Sequence, residues 1–194
     1  LTSIGSGAFS DCSNLTSINI PKNVTSIGSS AFLNCSNLKS INIPEGVTSI
    51  GAHTFSGCSS LTNLIIPEGV TSIGGHAFWG CSGLVSISIP EEVVTIDEYT
   101  FGRCSGLRSI HISKEVDTVL RHAFTGCDNL QDVYYSGSKA EWEEIDIWVG
   151  NENLTNATIH YNGASYNGNL LINTLIAWDE NTQTASFDTG ISYH

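Results

Sequence analysis

The stretch IPEGVTSIG occupies residues 43–51 and returns, letter for letter, at 66–74. A catalytic loop needs one copy, so a phrase written twice 23 residues apart points to position within an array. The period extends far past the phrase. Cys12, Cys35, Cys58, Cys81, Cys104 and Cys127 fall at this interval, as do Phe9, Phe32, Phe55, Phe78, Phe101 and Phe124. So do Leu15, Leu38, Leu61, Leu84, Leu107 and Leu130, and two columns led by Ile18 and Ile20. One coil reads, from residue 24, VTSIGSSAFLNCSNLKSINIPEG. A unit of this size cannot bury its apolar side alone, and stacking against its neighbours buries it.

Within a coil, LKSINI (38–43) predicts a short parallel strand with Leu38, Ile41 and Ile43 inward. Pro44 lacks an N–H for the ladder and ends it in the turn PEG. VTSI (47–50) predicts a second extended segment, and AHTFSGC (52–58) predicts one tight helical or 3₁₀ turn with Phe55 and Cys58 on one side.

The pattern L-x-x-I-x-I-P-x-x-V-x-x-I-G-x-x-A-F-x-x-C, carried over residues 1–136, resembles the BspA-like leucine-rich repeat family. The resemblance implies a repeat solenoid, a right-handed superhelix with its main parallel sheet on the concave face. It also implies a secreted or cell-surface protein engaged in adhesion to host matrix proteins or other cells, and the partner expected here is an extracellular protein or glycan. Architecture follows from such a likeness more directly than activity does.

Three regions are expected. Residues 1–136 form the solenoid, 137–162 a C-terminal cap, and 163–194 a β-prone tail with two strands about a turn at DENT, as at the start of a following domain. In the cap, Ser138 and Glu141 give a capping-box signal for a short helix. Trp142 and Ile145 would share its buried side and close the last coil, and 151–162 would add a terminal strand. The chain begins at Leu1 and contains no Met, so it reads as a piece of a longer precursor.

Composition excludes several function classes. The net charge is −12 with only seven Lys and Arg, which argues against nucleic acid and anionic membrane as partners. No run of about 18 apolar residues exists, so direct membrane insertion by a helix is not expected. No nucleophile elbow, phosphate loop or zinc-protease motif is present, so the expected activity is non-enzymatic and no cofactor is implied.

Six cysteines in one column stand about 4.8 Å apart with parallel side chains, a poor arrangement for disulfides and a good one for a reduced, buried ladder. His53, His76 and His122 share another column with Tyr99. Two imidazoles one coil apart could hold a metal ion, but nothing supplies a third ligand, so the column reads as solvent-exposed.

Candidate binding residues come from the outward columns of the LKSINI strand. One runs Asn19, Asn42, Ile65, Ser88, His111, Tyr134, and another Thr16, Lys39, Thr62, Val85, Arg108, Gln131. Polar N-terminal coils thus give way to Ile65, Val85, Arg108, His111, Asp132 and Tyr134, a mixture usual in interface hot spots. Trp79, outward after Phe78, marks a second candidate on the turn edge. Two functions fit: a surface binding module docking a partner on the concave sheet, or a spacer that holds other domains away from the cell.

Overall fold

The computed structural model describes residues 1–162 and two further strands, Leu175–Asp179 and Thr184–Phe187, the last two by their backbone. It is a parallel β-solenoid of about 7 turns with very little helix. Two strand ladders run along it. The first, from the VTSI segments, pairs Ser3–Ile4, Ser26–Ile27, Ser49–Ile50 and Ser72–Ile73 in parallel, and then Thr95–Ile96, Thr118–Val119 and Asp146–Ile147.

The second ladder comes from the LKSINI segments and is shorter at the N-terminal end. Ser17–Ile18 pairs with Ser40–Ile41 alone, whereas Ser86–Ser88, Ser109–Ile112, Asp132–Tyr135 and Thr158–His160 form one four-stranded sheet. Between them, residues 61–66 adopt no strand. Asn63 and Leu64 replace the Ser-Ile pair of the flanking coils there; Asn is depleted in strands, and Leu lacks the β-branch that favours Ile in them.

The inward columns behave as the repeat requires. Val47, Ile50, Phe55, Cys58, Leu61, Leu64 and Ile66 of one coil are all buried. The phenyl rings form a continuous pile, with centroids 5.3 Å apart from Phe9 to Phe32, 5.6 Å to Phe55, 5.7 Å to Phe78, 5.4 Å to Phe101 and 5.3 Å to Phe124. Thr54 and Thr100 replace the alanine of other coils, and their buried hydroxyls donate to Gly51 O at 2.7 Å and Asp97 O at 2.8 Å.

The third side differs from the single helical turn expected at 52–58. It is a series of β-turns with two left-handed residues per coil. One column is Gly7, Ser30, His53, His76, Tyr99 and His122, and the other Asp11, Asn34, Gly57, Gly80, Arg103 and Gly126, all at positive φ. Beyond its first turn, a helix would satisfy each N–H internally. Here Ala31, Leu33 and Cys35 donate to the third residue before them, while Ser30, Phe32 and Asn34 donate to Ala52, Thr54 and Ser56 of the next coil at 2.9, 2.9 and 2.7 Å. Alternate amides therefore sew each coil to the one after it.

All six thiols are free. Five are buried, and each donates to a phenylalanine carbonyl of the preceding coil, as Cys58 Sγ does to Phe32 O at 3.2 Å. Burial pushes the Cys58 and Cys127 thiols up to about 12, and those of Cys81 and Cys104 well up too. Cys12 departs from the expected ladder: it is exposed, because no coil covers that side of it here.

After the repeats, helix α1, Lys139–Glu143, has the expected capping box. Ser138 N donates to Glu141 Oε2 at 2.7 Å and Glu141 N to Ser138 Oγ at 3.3 Å. Ser138 N, together with Ser138 Oγ at 2.7 Å, donates to the Glu141 carboxylate and holds it below its usual range. The expected burial of its apolar side is only partial. No residue of α1 is buried, and Trp142 and Ile145 pack half-exposed on the core, Trp142 edge-on to Tyr135 at 5.2 Å. A one-and-a-half-turn helix is too short to cover the coil.

The closing work falls to residues 148–155, which include a second helix, α2, Glu152–Thr155. In the repeats, three amides of each turn series find carbonyls one coil on. In the last coil His122 N finds Val149 O at 3.0 Å, but Phe124 N finds the side chain Asn151 Oδ1 at 3.0 Å and Gly126 N finds Asn153 Oδ1 at 3.2 Å. Asn151 Nδ2 also donates to Leu120 O and Trp148 O, both at 2.8 Å. Gly150, at φ +86°, is required here, since a Cβ would strike the His122 imidazole. The terminal strand Thr158–His160 occurs, preceded by α2 rather than by strand alone. In the tail the two strands pair antiparallel, Asp179 against Thr184, and the intervening turn lies outside the described residues.

Candidate functional site

The second ladder carries the candidate face. Alternation sends Ile110, Ile112, Val133 and Tyr135 into the core and leaves His111 and Tyr134 outward. Parallel register places Tyr134 beside His111 and also beside His160 of the terminal strand. The rings stack, His111 on Tyr134 at 4.8 Å and Tyr134 on His160 at 4.7 Å. His160 Nε2 lies 2.8 Å from Asp132 Oδ1, so the Asp132 carboxylate fixes one end of the pile.

Desolvation holds His111 down at about 4, so its imidazole is neutral near neutral pH. Burial also raises the Tyr134 phenol, and the Asp132 charge adds to this. Arg108 is exposed beside this pile and its backbone N–H meets Val85 O at 2.8 Å. Val85 and Ile65 stand out from the face, 41% and 56% exposed.

The sequence-derived residues therefore divide. His111, Asp132 and Tyr134 form one contact cluster, with Arg108 just before the strand of His111 and Val85 just before the neighbouring strand Ser86–Ser88. Ile65 lies further along, on the coil without a strand. Trp79 belongs to another side altogether, beside His76 at 5.6 Å and Tyr99 at 5.5 Å. His160 is the residue that column counting missed. It lies 26 residues after Tyr134, not 23, because the cap inserts three extra residues before its strand. The alternation Thr158, Ile159, His160 was the available signal.

The histidine column also differs from expectation. His53, His76, Tyr99 and His122 are half-buried and stacked, not freely exposed. Among the described residues no group of three His, Cys, Asp or Glu is placed to hold a metal ion. Among the same residues, no helix is long and apolar enough to cross a membrane.

Two parallel ladders, a buried phenylalanine pile and a 23-residue coil define a leucine-rich-repeat solenoid. The chain belongs to the BspA type leucine rich repeat region family, whose model matches in 6 copies over residues 1–92 and 78–176. It is similar to the T. pallidum leucine rich repeat protein TpLRR, with 31% identity and a TM-score of 0.66, covering 69% of this chain and 62% of that one. It is also similar to a leucine rich cell surface protein of Faecalibacterium prausnitzii A2-165, with 34% identity and a TM-score of 0.54, covering 75% of this chain and 32% of that one. The pneumococcal vaccine antigen PcpA shares the fold at 18% identity, with a TM-score of 0.59 over 83% of this chain and 41% of its own. The chain thus spans less than two thirds of each of these structures. No curated protein matches it.

Proposed function

We propose that this solenoid is a non-enzymatic, extracellular binding module whose protein partner docks on the second ladder near its C-terminal coils. The observation that carries the reading is the stacked pile His111–Tyr134–His160, flanked by Arg108 and Val85. Strand pairing holds these groups on a rigid surface, so docking orders little that is not already ordered. Aromatic and Arg side chains on such a surface are what hot spots are made of. The similarity to a protein described as a cell surface protein supports an extracellular location. A net charge of −12 favours partners with basic patches and faster association at low salt.

The test is binding of the immobilised chain to a panel of purified extracellular-matrix and cell-surface proteins. For a partner so found, Arg108→Ala with Tyr134→Ala lowers affinity at least about tenfold, or 1.4 kcal/mol. If that variant binds like the parent while Trp79→Ala does not, the turn edge is the site. If no panel member binds at micromolar protein, the solenoid serves as a spacer instead.

A further inference from the structure

The turn side carries a second aromatic file, separate from the sheet face. His53, His76, Tyr99 and His122 stack in series, with centroids 4.6, 4.8 and 5.1 Å apart. Each sits at a left-handed position, where Gly7 and Ser30 serve in the first coils. A tyrosine at φ 56° is an uncommon and costly choice there, while glycine would cost nothing in sterics. Trp79 stands against the file, its ring over Gly102, where a Cβ would collide with Cε3 and Cζ3. The Arg103 guanidinium lies 5.2 Å from the Trp79 ring centroid.

The rings are half-buried and cover one another's faces, so a ligand would meet their edges, imidazole nitrogens and a phenol oxygen, one set per coil, although His122 Nδ1 lies against Gly150 of the cap. A neutral imidazole and a phenol each offer both a donor and an acceptor. Desolvation, together with the neighbouring His53, lowers the pKa of His76 and keeps that ring neutral. The nearby charges, Asp97 and Glu98 against Arg103 and Arg121, are of both signs, and the chain as a whole is strongly acidic. This chemistry suits hydroxyl groups and disfavours sulfated or uronic polymers.

We propose that the His53–His76–Tyr99–His122 file, with Trp79 and Arg103, binds an uncharged, extended β-linked polysaccharide lying along the solenoid axis. A β-1,4-linked gluco-configured chain is flat and advances by about one coil per sugar ring. Neighbouring sugars are turned over relative to each other, so alternate sugars meet every second coil in the same way, each contact weak and the sum useful. Trp79 and Arg103 form one wall, apolar surface beside a fork of donors. The file has four members, so affinity should climb with chain length and level off once the chain spans it. A merely sticky aromatic patch has no such limit.

The experiment is calorimetric titration of the folded chain with β-1,4-linked glucose and N-acetylglucosamine oligomers, from monomer to hexamer. The α-1,4-linked glucose hexamer, which coils, and a sulfated polysaccharide serve as controls. The β-linked series gains at least about tenfold from dimer to tetramer and little beyond it. Tyr99→Gly keeps the left-handed backbone while removing the ring, and lowers the affinity at least about tenfold, as does Trp79→Ala. Arg108→Ala, on the sheet face, leaves it unchanged. The proposal is overturned if no β-linked hexamer binds at about 5 mM, if the α- and β-linked hexamers bind equally, or if folded Tyr99→Gly binds like the parent.

Discussion

Asn151→Ala probes how the solenoid is closed. Asn151 is 2% exposed and its side chain makes three hydrogen bonds: Oδ1 accepts from Phe124 N at 3.0 Å, and Nδ2 donates to Leu120 O and Trp148 O at 2.8 Å. The three losses are unequal. Leu120 O keeps the Ala123 N–H at 3.4 Å, and Trp148 is exposed enough for its carbonyl to reach water. The buried Phe124 N–H has no other partner in the structure and would bear most of the penalty, about 1–3 kcal/mol. Adding a fraction of that for the two carbonyls, and the space left behind, gives about 3 kcal/mol. For a chain of this size that lowers the melting temperature by roughly 6–12 °C.

Asn153→Ala, which removes a 3.2 Å bond from Gly126 N at a half-buried site and an exposed 3.3 Å bond to Asp128 Oδ1, should cost about 1 kcal/mol. Urea denaturation measures both, and hydrogen exchange places the effect, since the Phe124 amide should lose protection ahead of amides in the middle coils. Asn151→Asp adds a check of sign. At neutral pH a carboxylate keeps the Phe124 bond but faces two carbonyls with negative charge, so it should be at least as damaging as Ala. Burial and these carbonyls raise the pKa of the new carboxyl, and acidification restores a donor and part of the stability. A loss under about 0.5 kcal/mol for Asn151→Ala, or unchanged protection at Phe124, would refute this account of the cap.

The thiols should separate into one fast and five slow groups toward a thiol reagent near pH 8, with Cys12 the fast one and all six titrating after denaturation. A raised folded pKa means stability that is complete below the unfolded value of about 9 and lost as pH rises toward 12. Near pH 10.5 that loss is about 2 kcal/mol for Cys58; Cys58→Ala leaves Phe32 O its Cys35 N–H at 3.2 Å, so denaturation curves should show it weaker than the parent at pH 8 and level with it at alkaline pH. A gap that stays constant across that range would contradict a buried neutral thiol. Trp142→Ala and Trp79→Ala should each cost about 1–3 kcal/mol in thermal melts, since both are half-buried. A difference above about 2 kcal/mol would show that one of them packs otherwise.

The inward half of the coil was legible because burial acts on every repeat alike. Phe55, Cys58, Leu61 and Ile66 each belong to a column that tolerates almost no polar residue, and six copies make the pattern plain. The turn side was harder to read. AHTFSGC has the composition of a helical turn, and the left-handed residues that break it are often His, Tyr, Ser or Arg rather than the glycine that announces such a conformation. Only the column as a whole, with Gly7 at its head and Gly57, Gly80 and Gly126 in its companion, carried the hint. The cap was least legible for a related reason. Asn151 and Asn153 act once, so no repetition advertises them, and Asn in an Asn-rich chain looks ordinary. His160 escaped because the cap shifts the register by three residues.

The same bonding pattern explains where this protein is free to vary. Alternate turn amides are satisfied by the next coil's backbone, and strand amides by the neighbouring strand, whichever side chains stand outward. An outward column can therefore change from Asn19 to Tyr134, or from Gly7 to His122, without leaving a buried polar group unpaired. Stacking then gives such changes direction. Once one coil carries a ring, a ring on the next gains a face to pack on, about 0.5–1.5 kcal/mol beyond its area. Aromatic residues should accordingly gather in files along the axis, and among the described residues two outward files occur, His53 to His122 and His111 to His160. Each is a line of stacked rings at the coil interval.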